Sequence, residues 1–276
     1  MDAGGGIRYG CGALPESSAF PFEPKPTHSQ RDLTVSGVPA DVVKDLSPSG
    51  KLRVAINLGN IVLARGNAAG PPTGITVDLA RELGARLGVP LELTPFDAAG
   101  KVFDALKTGA LDIVFLAIEP VRAAEIEFTA PYVIIEGVYM VPRDSGLKTV
   151  ADVDRAGVRV AVNKGSAYDL FLTRTLKHAE LVRGENGIEL FMQNRLEAAA
   201  GVKQPLVAFA KTNSNVRVMD GRFMEIQQAM GTPKGRSAGA RYLRAFVEEM
   251  KATGFVADAL KRSNQPDASV APPAPG

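Results

Sequence analysis

Along the middle of the chain, apolar positions switch between a strand-like run and a helical stripe, and the switches lay out its elements. LRVAIN, from Leu52 to Asn57, predicts a short buried strand followed by a loop-rich passage. In GITVDLARELGARLG, Leu79, Leu83 and Leu87 recur at helical spacing, with Gly88 at the stop and Pro90 beyond it. LELTPF predicts a second strand, GKVFDALKTG a helix with Val102, Phe103 and Leu106 on its inner face, and Leu111–Leu116 a third strand. Strands that alternate with helices predict a mostly parallel sheet flanked by helices.

The pattern then repeats. YVIIEGVYMVPRD is unusually long and β-rich, and it leads to a strand at Val158–Val162, a turn at NKGSA and a helix at YDLFLTRTLKHA. A strand at Glu180–Arg183 follows, and IELFMQNRLEAAAGVKQPLVAFA reads as helix, short strand and helix. NVRVM closes this unit, GRFMEIQQAMG returns as a strand, and RYLRAFVEEMKATGFVADAL supplies two closing helices. Two α/β units joined by one long strand out and another back predict two lobes with a cleft between them. Residues 49–139 and 231–263 are assigned to the first lobe and 140–230 to the second. Ligands of such sheets sit beyond the carboxyl ends of the strands, where Asn57, Asn60 and the loop Ala117–Glu119 fall.

The stretch LDIVFLAIEPVRAAEIEFTAPY, Leu111–Tyr132, reads as a strand, a short helix opened by Pro120 and a second turn closed by Pro131. Proline suits a first helical position, where its missing N–H would be unpaired anyway. Arg122 then falls in the first turn, where a cation opposes the helix dipole, and a neighbouring anion would account for it. A surface pairing of Arg122 with Glu119 or Glu125 fits the same spacing.

Composition narrows the classes. A hydrophobic content of 45% with 22% charged residues is ordinary for a soluble globular chain. A net charge of +2, with no dense Lys/Arg run, offers no argument for a nucleic-acid or membrane partner. No apolar run approaches the roughly 18 residues a membrane helix needs. Cys11 is alone, and His28 and His178 lie far apart without neighbours at ligand spacing, so neither an internal disulfide nor a structural zinc site is expected. Residues 1–48, rich in Gly, Pro and Ser, predict a poorly ordered leader that lacks the charged start and apolar centre of a secretory signal. The proline-rich end, 264–276, predicts a flexible tail.

Taken in order, TGITVDLARELGARLG, LKTGALDIVFLAIEPVRAAEIEFTAPY and VRVAVNKGSAYDLFL resemble the solute-binding proteins of ABC importers, in the polar amino-acid class, from about Lys51 to Ser263. The resemblance implies a two-lobed α/β fold of the periplasmic-binding-protein type (type II), joined by two hinge strands. It also implies a periplasmic, monomeric protein that needs no cofactor, captures a small carboxylate-bearing solute in its cleft and delivers it to an ABC membrane permease. By the same resemblance Arg122 holds the ligand carboxylate in a bidentate, charge-assisted pair. Gly165, Ser166 and Ala167 offer main-chain N–H groups at a helix N-terminus, although a plain strand–helix turn would also need that glycine. Asn57, Ala117 and Ile118 join from the first lobe.

The chain departs from the family pattern in two places. LAIEPVR is shorter than the usual Thr-x-Thr-x-Glu-Arg stretch, carries no hydroxyl side chain and brings Glu119 near the cleft. RLEAAAGVKQPL has Gly201 and Val202 where the family places an Asp for the α-ammonium, with Gln204 the nearest polar residue. A carboxylate without an amino group therefore fits at least as well as an amino acid. The alternative is an enzyme on the same scaffold, a dehydratase of cyclic carboxylic acids with Glu119 or Glu136 as the acid. No Ser-His-Asp arrangement, Walker loop or strand-following G-x-G-x-x-G supports a hydrolase or a nucleotide enzyme.

Overall fold

The computed structural model describes residues 37–66, 70–265 and 268–275, so the expectations for residues 1–36 lie outside the described residues. The first lobe is built on β1 (Leu52–Asn57) and β2 (Leu91–Phe96), which pair in parallel from Leu52↔Leu91 to Asn57↔Phe96. Leu52, Val54, Ala55 and Ile56 are all buried, which explains why β1 is a continuous apolar run. Helix α2 (Ile75–Leu87) crosses between these strands and stops at Gly88, whose φ of 64° is the left-handed cap a glycine tolerates best. After α3 (Ala99–Lys107), a parallel bridge between Val54 and Ile113 sets β3 (Val114–Ala117) beside β1.

Two long strands dominate the centre. β4 (Ile126–Pro142) and β9 (Met224–Pro233) pair antiparallel from Ile126↔Pro233 to Gly137↔Met224, and β9 lies between β3 and β4. The turn expected at Pro131 is not formed. Pro131 sits inside β4, between two shifts of register. A bulge is where a strand tolerates a residue with no N–H to donate. Beyond Gly137, β4 pairs with β7 (Ala198–Val202) and then with β8 (Val216–Val218). In the second lobe β5 (Arg159–Asn163) lies in parallel between β6 (Glu180–Gly184) and β7. Helices α5 (Ala167–Thr175), α6 (Gly187–Asn194) and α7 (Lys203–Thr212) connect and follow these strands. Pairing is parallel where helices link the strands, and antiparallel where the outgoing and returning strands meet.

Helices α8 (Ser237–Ala252) and α9 (Phe255–Arg262) close the chain back onto the first lobe. Its inner seam is fastened by Asp112, which is fully buried and accepts hydrogen bonds from Arg53 Nε and Nη2 and from Arg236 Nη1, each at 2.8 Å.

Two terminal expectations need correction. The leader is ordered before residue 48: α1 (Ala40–Leu46) buries Val42 and Leu46. Leu46 reaches α8 at Gly239, where an added Cβ would lie 2.5 Å from its Cδ2. Asp45 Oδ2 accepts the Gly239 N–H at 3.0 Å. One apolar i, i+4 pair in a single short stretch is too little periodicity to show in sequence. The tail is also held, since β10 (Ser269–Val270) pairs antiparallel with β4 at Ile134 and Val133. Ala268 and Ala271 are buried beside it, and Lys251 Nζ donates to the carbonyls of Pro131 and Pro272.

Candidate interlobe binding site

The carboxyl ends of β1, β2 and β3 face the β5–α5 turn across a cavity of about 60 Å³. Asn57, Gly59, Asn60, Asp97, Leu116, Ala117 and Arg122 line it from the first lobe, and Asn163, Lys164, Ser166, Ala167, Tyr168 and Val202 from the second. Ile226 and Gln228 of β9 form part of the wall. A second chamber of about 250 Å³ shares Gly59, Asn60, Asn163, Tyr168 and Val202 with the first and adds Glu185, Asn186, Ile188 and Leu206 among others. The inner cavity suits a carboxylate and its nearest atoms, and the outer chamber has room for a longer substituent.

Arg122 is 1% exposed. Helix α4 (Pro120–Ala123) is a single turn, too short to carry a significant dipole, so the electrostatic reason the sequence suggested for Arg122 does not hold. Packing places the side chain instead. Nη1 donates to the Ala117 carbonyl at 3.1 Å, and Nη2 reaches across the cleft to the Gly165 carbonyl at 2.9 Å. Neither carboxylate suggested as a surface partner hydrogen-bonds it. Glu119, itself buried, lies with Oε2 2.6 Å from Arg174 Nη1 of α5, an ion-pair contact across the lobes without hydrogen-bond alignment. Burial pulls the Arg122 guanidinium down to about 10, and the negative charge of Glu119 works against that fall. A guanidinium has five N–H donors, and two carbonyls do not exhaust them. The arrangement is a desolvated cation at a cavity wall, which favours an anion beside it.

The β5–α5 turn corrects the expected amide set. Gly165 has φ 70°, and its N–H donates to Asp169 Oδ2 at 2.8 Å. The Ser166 N–H is bonded to the Asn163 carbonyl, while its Oγ caps α5 by accepting the Asp169 N–H at 3.1 Å. Two of the three proposed donors are thus used within the turn. The first amides of α5, Ala167 and Tyr168, are the ones a helix leaves without an intrahelical partner. Tyr168 is an addition, legible only once the helix start is known.

The remaining expected residues divide clearly. Asn57 and Ala117 line the cavity; Asn57 Oδ1 already accepts the Gly59 N–H at 3.1 Å, leaving its NH₂ group to offer. The Ile118 N–H is bonded to the Gln227 carbonyl at 2.9 Å, so the main-chain contact expected there is taken by β9. Gln204 is not on either chamber's wall; Val202, which precedes α7, reaches both. Glu119 and Glu136 are also off the walls. Glu136 accepts from Lys203 Nζ at 2.7 Å and Arg222 Nη1 at 3.0 Å, and these bonds hold its carboxyl below the usual range. Sequence reading missed Asp97, Lys164 and Gln228. The strand period of two would have found Gln228, since it shares a face with Ile226.

The family profile of the bacterial extracellular solute-binding proteins, family 3, matches residues 52–263. The amino-acid-binding protein AabA of Dichelobacter nodosus is 22% identical over 208 residues, covering 72% of this chain and 81% of the relative. The solved solute receptor for L-cysteine of Neisseria gonorrhoeae has a TM-score of 0.70 at 22% identity, covering 82% of this chain and 94% of that one. The ancestral amino acid-binding protein AncCDT-1, a precursor of cyclohexadienyl dehydratase, has a TM-score of 0.66 at 24% identity, covering 80% and 98%. The two solved structures share the two-lobed fold, and the profile spans both lobes and both hinge strands. This chain therefore belongs to the bacterial extracellular solute-binding proteins, family 3.

Proposed function

We propose that the protein captures a small carboxylate-bearing solute between its lobes in the periplasm and, as a monomer, delivers it to the membrane permease of an ABC importer. The observation that carries this reading is Arg122, buried at the wall of the interlobe cavity with no carboxylate hydrogen-bonded to it among the described residues. A solute carboxylate would take the remaining guanidinium donors, with the Ala167 and Tyr168 amides facing it from the second lobe. Asn57, Ser166 and Gln228 surround it with further polar groups, and Tyr168 and Ile226 provide apolar walls. A charged hydrogen bond contributes about 1.5–3 kcal/mol net. Micromolar binding needs about 8 kcal/mol, so the remainder falls to several contacts made together as the lobes exclude water.

We place the division between lobes where β4 changes partner, at Gly137, which pairs with Met224 on one side and Val202 on the other. This moves the return crossing from residue 230 to the start of β9, because Gln228 and Met230 are already bonded to β3 in the first lobe. Neither Glu119 nor Glu136 lines either chamber; among the described residues the one carboxyl on the inner cavity, Asp97, is held in its ionised form by the Lys101 ammonium, and Glu185 lies on the outer chamber. This placement supports binding over acid-catalysed turnover.

The test is calorimetry of wild type and Arg122→Leu against a panel of amino acids and small organic acids, chosen by a thermal-shift screen. Wild type should bind at least one carboxylate, and the variant should lose that affinity by a factor of about 100 or more, the equivalent of about 2.7 kcal/mol. Equal binding by both proteins would sink the reading.

A further inference from the structure

We propose that Lys101 decides which carboxylates the cleft accepts: its ammonium stands between the two acidic residues of the cleft walls, so the preferred solute carries no ammonium group beside its carboxylate. The inference rests on the carboxylate reading above and goes on to name the class of acid.

Asp97 is the acidic residue on the inner wall and Glu185 the one on the outer wall, among the described residues. Lys101 Nζ lies 2.8 Å from Asp97 Oδ2 and 3.6 Å from Glu185 Oε2. Asp97 and Lys101 come from the first lobe, one helical turn apart at the start of α3, while Glu185 follows β6 of the second. One ammonium thus serves both carboxylates and bridges the lobes. The cations on the walls, Arg122 and Lys164, have no such partner on those walls.

The charge pattern that results is one-sided. With Lys101 in place, the walls present two positive groups and two acids that share an ammonium already present. A solute ammonium would have to displace a lysine tethered beside its partner, which competes at high effective concentration. The end of β7, Gly201 and Val202, supplies no other acid. Side-chain exposure is 52% for Lys101, 72% for Asp97 and 74% for Glu185, so these ion pairs lie at the solvent-facing rim of the cleft and add little to folding; their effect falls on which solute enters. The close passage of Gly100 against Gly165, where a Cβ on Gly165 would lie 3.1 Å from Gly100 Cα, brings the start of α3 up to the anion-facing turn.

The test uses matched acids that differ only in the α-amino group: L-glutamate and glutarate, L-leucine and 4-methylpentanoate, L-phenylalanine and 3-phenylpropionate. Each is titrated calorimetrically into wild type, Lys101→Met, and Lys101→Met combined with Asp97→Asn. Circular dichroism melting confirms that the variants fold. Wild type should favour the amine-free member at least tenfold. Lys101→Met should move the ratio toward the amino acid by tenfold or more, and the added Asp97→Asn should reverse that move. A wild type that prefers the amino acid, or a ratio unmoved by Lys101→Met, overturns the role of Lys101 while leaving carboxylate binding intact. If no acid of either series binds wild type, the carboxylate reading falls and this inference falls with it.

Discussion

At the scale of single residues, Arg122 reaches the cavity wall for a reason other than the one its sequence position suggests. The sequence drew attention to it through a helix dipole, yet α4 is one turn long and what holds the side chain is a pair of carbonyls, one from each lobe. Its environment gives a pH signature. Burial lowers the folded-state value to about 10, well below its ordinary value. Folding is therefore penalised by the buried cation wherever both states are charged, below about pH 10. As pH rises above 10 the folded protein sheds the proton before the unfolded chain does, and that penalty fades. The difference is on the order of 3 kcal/mol. Affinity for a carboxylate with no other titrating group should be flat through neutrality and fall about tenfold per pH unit above 10, as calorimetry at pH 8 to 11 would show. Affinity that held unchanged to pH 11 would mean that Arg122 stays charged in the empty cleft. Arg122→Leu should melt no lower than wild type without ligand, because it removes a charge that burial disfavours.

At the scale of elements, sequence and structure agree best where a period is long enough to read. The stripe of α2 and the apolar run of β1 are examples. α1 and β10 escaped notice because neither is stable by itself. A seven-residue helix is marginal in water and forms here because Val42 and Leu46 dock on the first lobe. A two-residue strand exists only by pairing with β4. This gives α1 a measurable role: Leu46→Ala should cost about 2–5 kcal/mol in urea unfolding, since a fully buried leucine is truncated against α8. Calorimetric affinity for solute should not change, because α1 contributes nothing to the cavity wall. A cost under about 0.5 kcal/mol would mean that α1 is only loosely docked.

At the scale of the whole molecule, one buried network fastens the first lobe while the cleft contacts remain few. Burial works to raise the Asp112 carboxyl, but hydrogen bonds from Arg53 and Arg236 outweigh it and hold the group below its ordinary 3.8. For a depressed carboxyl, the linked stability is present above the unfolded value and lost as pH falls through the folded one. Urea unfolding should therefore show wild type losing stability below about pH 4. Asp112→Asn should be destabilised by about 3–5 kcal/mol at pH 7, because two arginines lose their shared counter-charge in the interior. Its disadvantage against wild type should narrow in acid. A constant gap from pH 7 to pH 3 would remove Asp112 from the acid response. Among the described residues, the lobes meet across the cleft through Arg122 and the Gly165 carbonyl, Glu119 and Arg174, and Lys101 and Glu185, and beside the crossing strands through Glu136 with Lys203 and Arg222. Few cross-cleft contacts suit the proposed capture and release of a solute, since each would break when the lobes part.

The amino-acid sequence by itself determined the order of strands and helices between β1 and α9, the two-lobed architecture and the family. Those follow from short-range periodicity and from motifs contiguous in the chain. It also marked Arg122 and the turn at Gly165, because the cation and the glycine stand out locally. Tertiary structure alone decided which donors remain for a ligand: Gly165 and Ser166 use their amides in the turn, Ile118 uses its amide on β9, and Ala167 and Tyr168 face the cleft. It alone placed Asp97, Lys101 and Glu185 together at the cleft, the third 84 residues beyond the second in the chain. A hydrogen bond is a property of direction as well as composition, and direction is fixed only once the backbone of each turn and strand is folded and the lobes are set against one another.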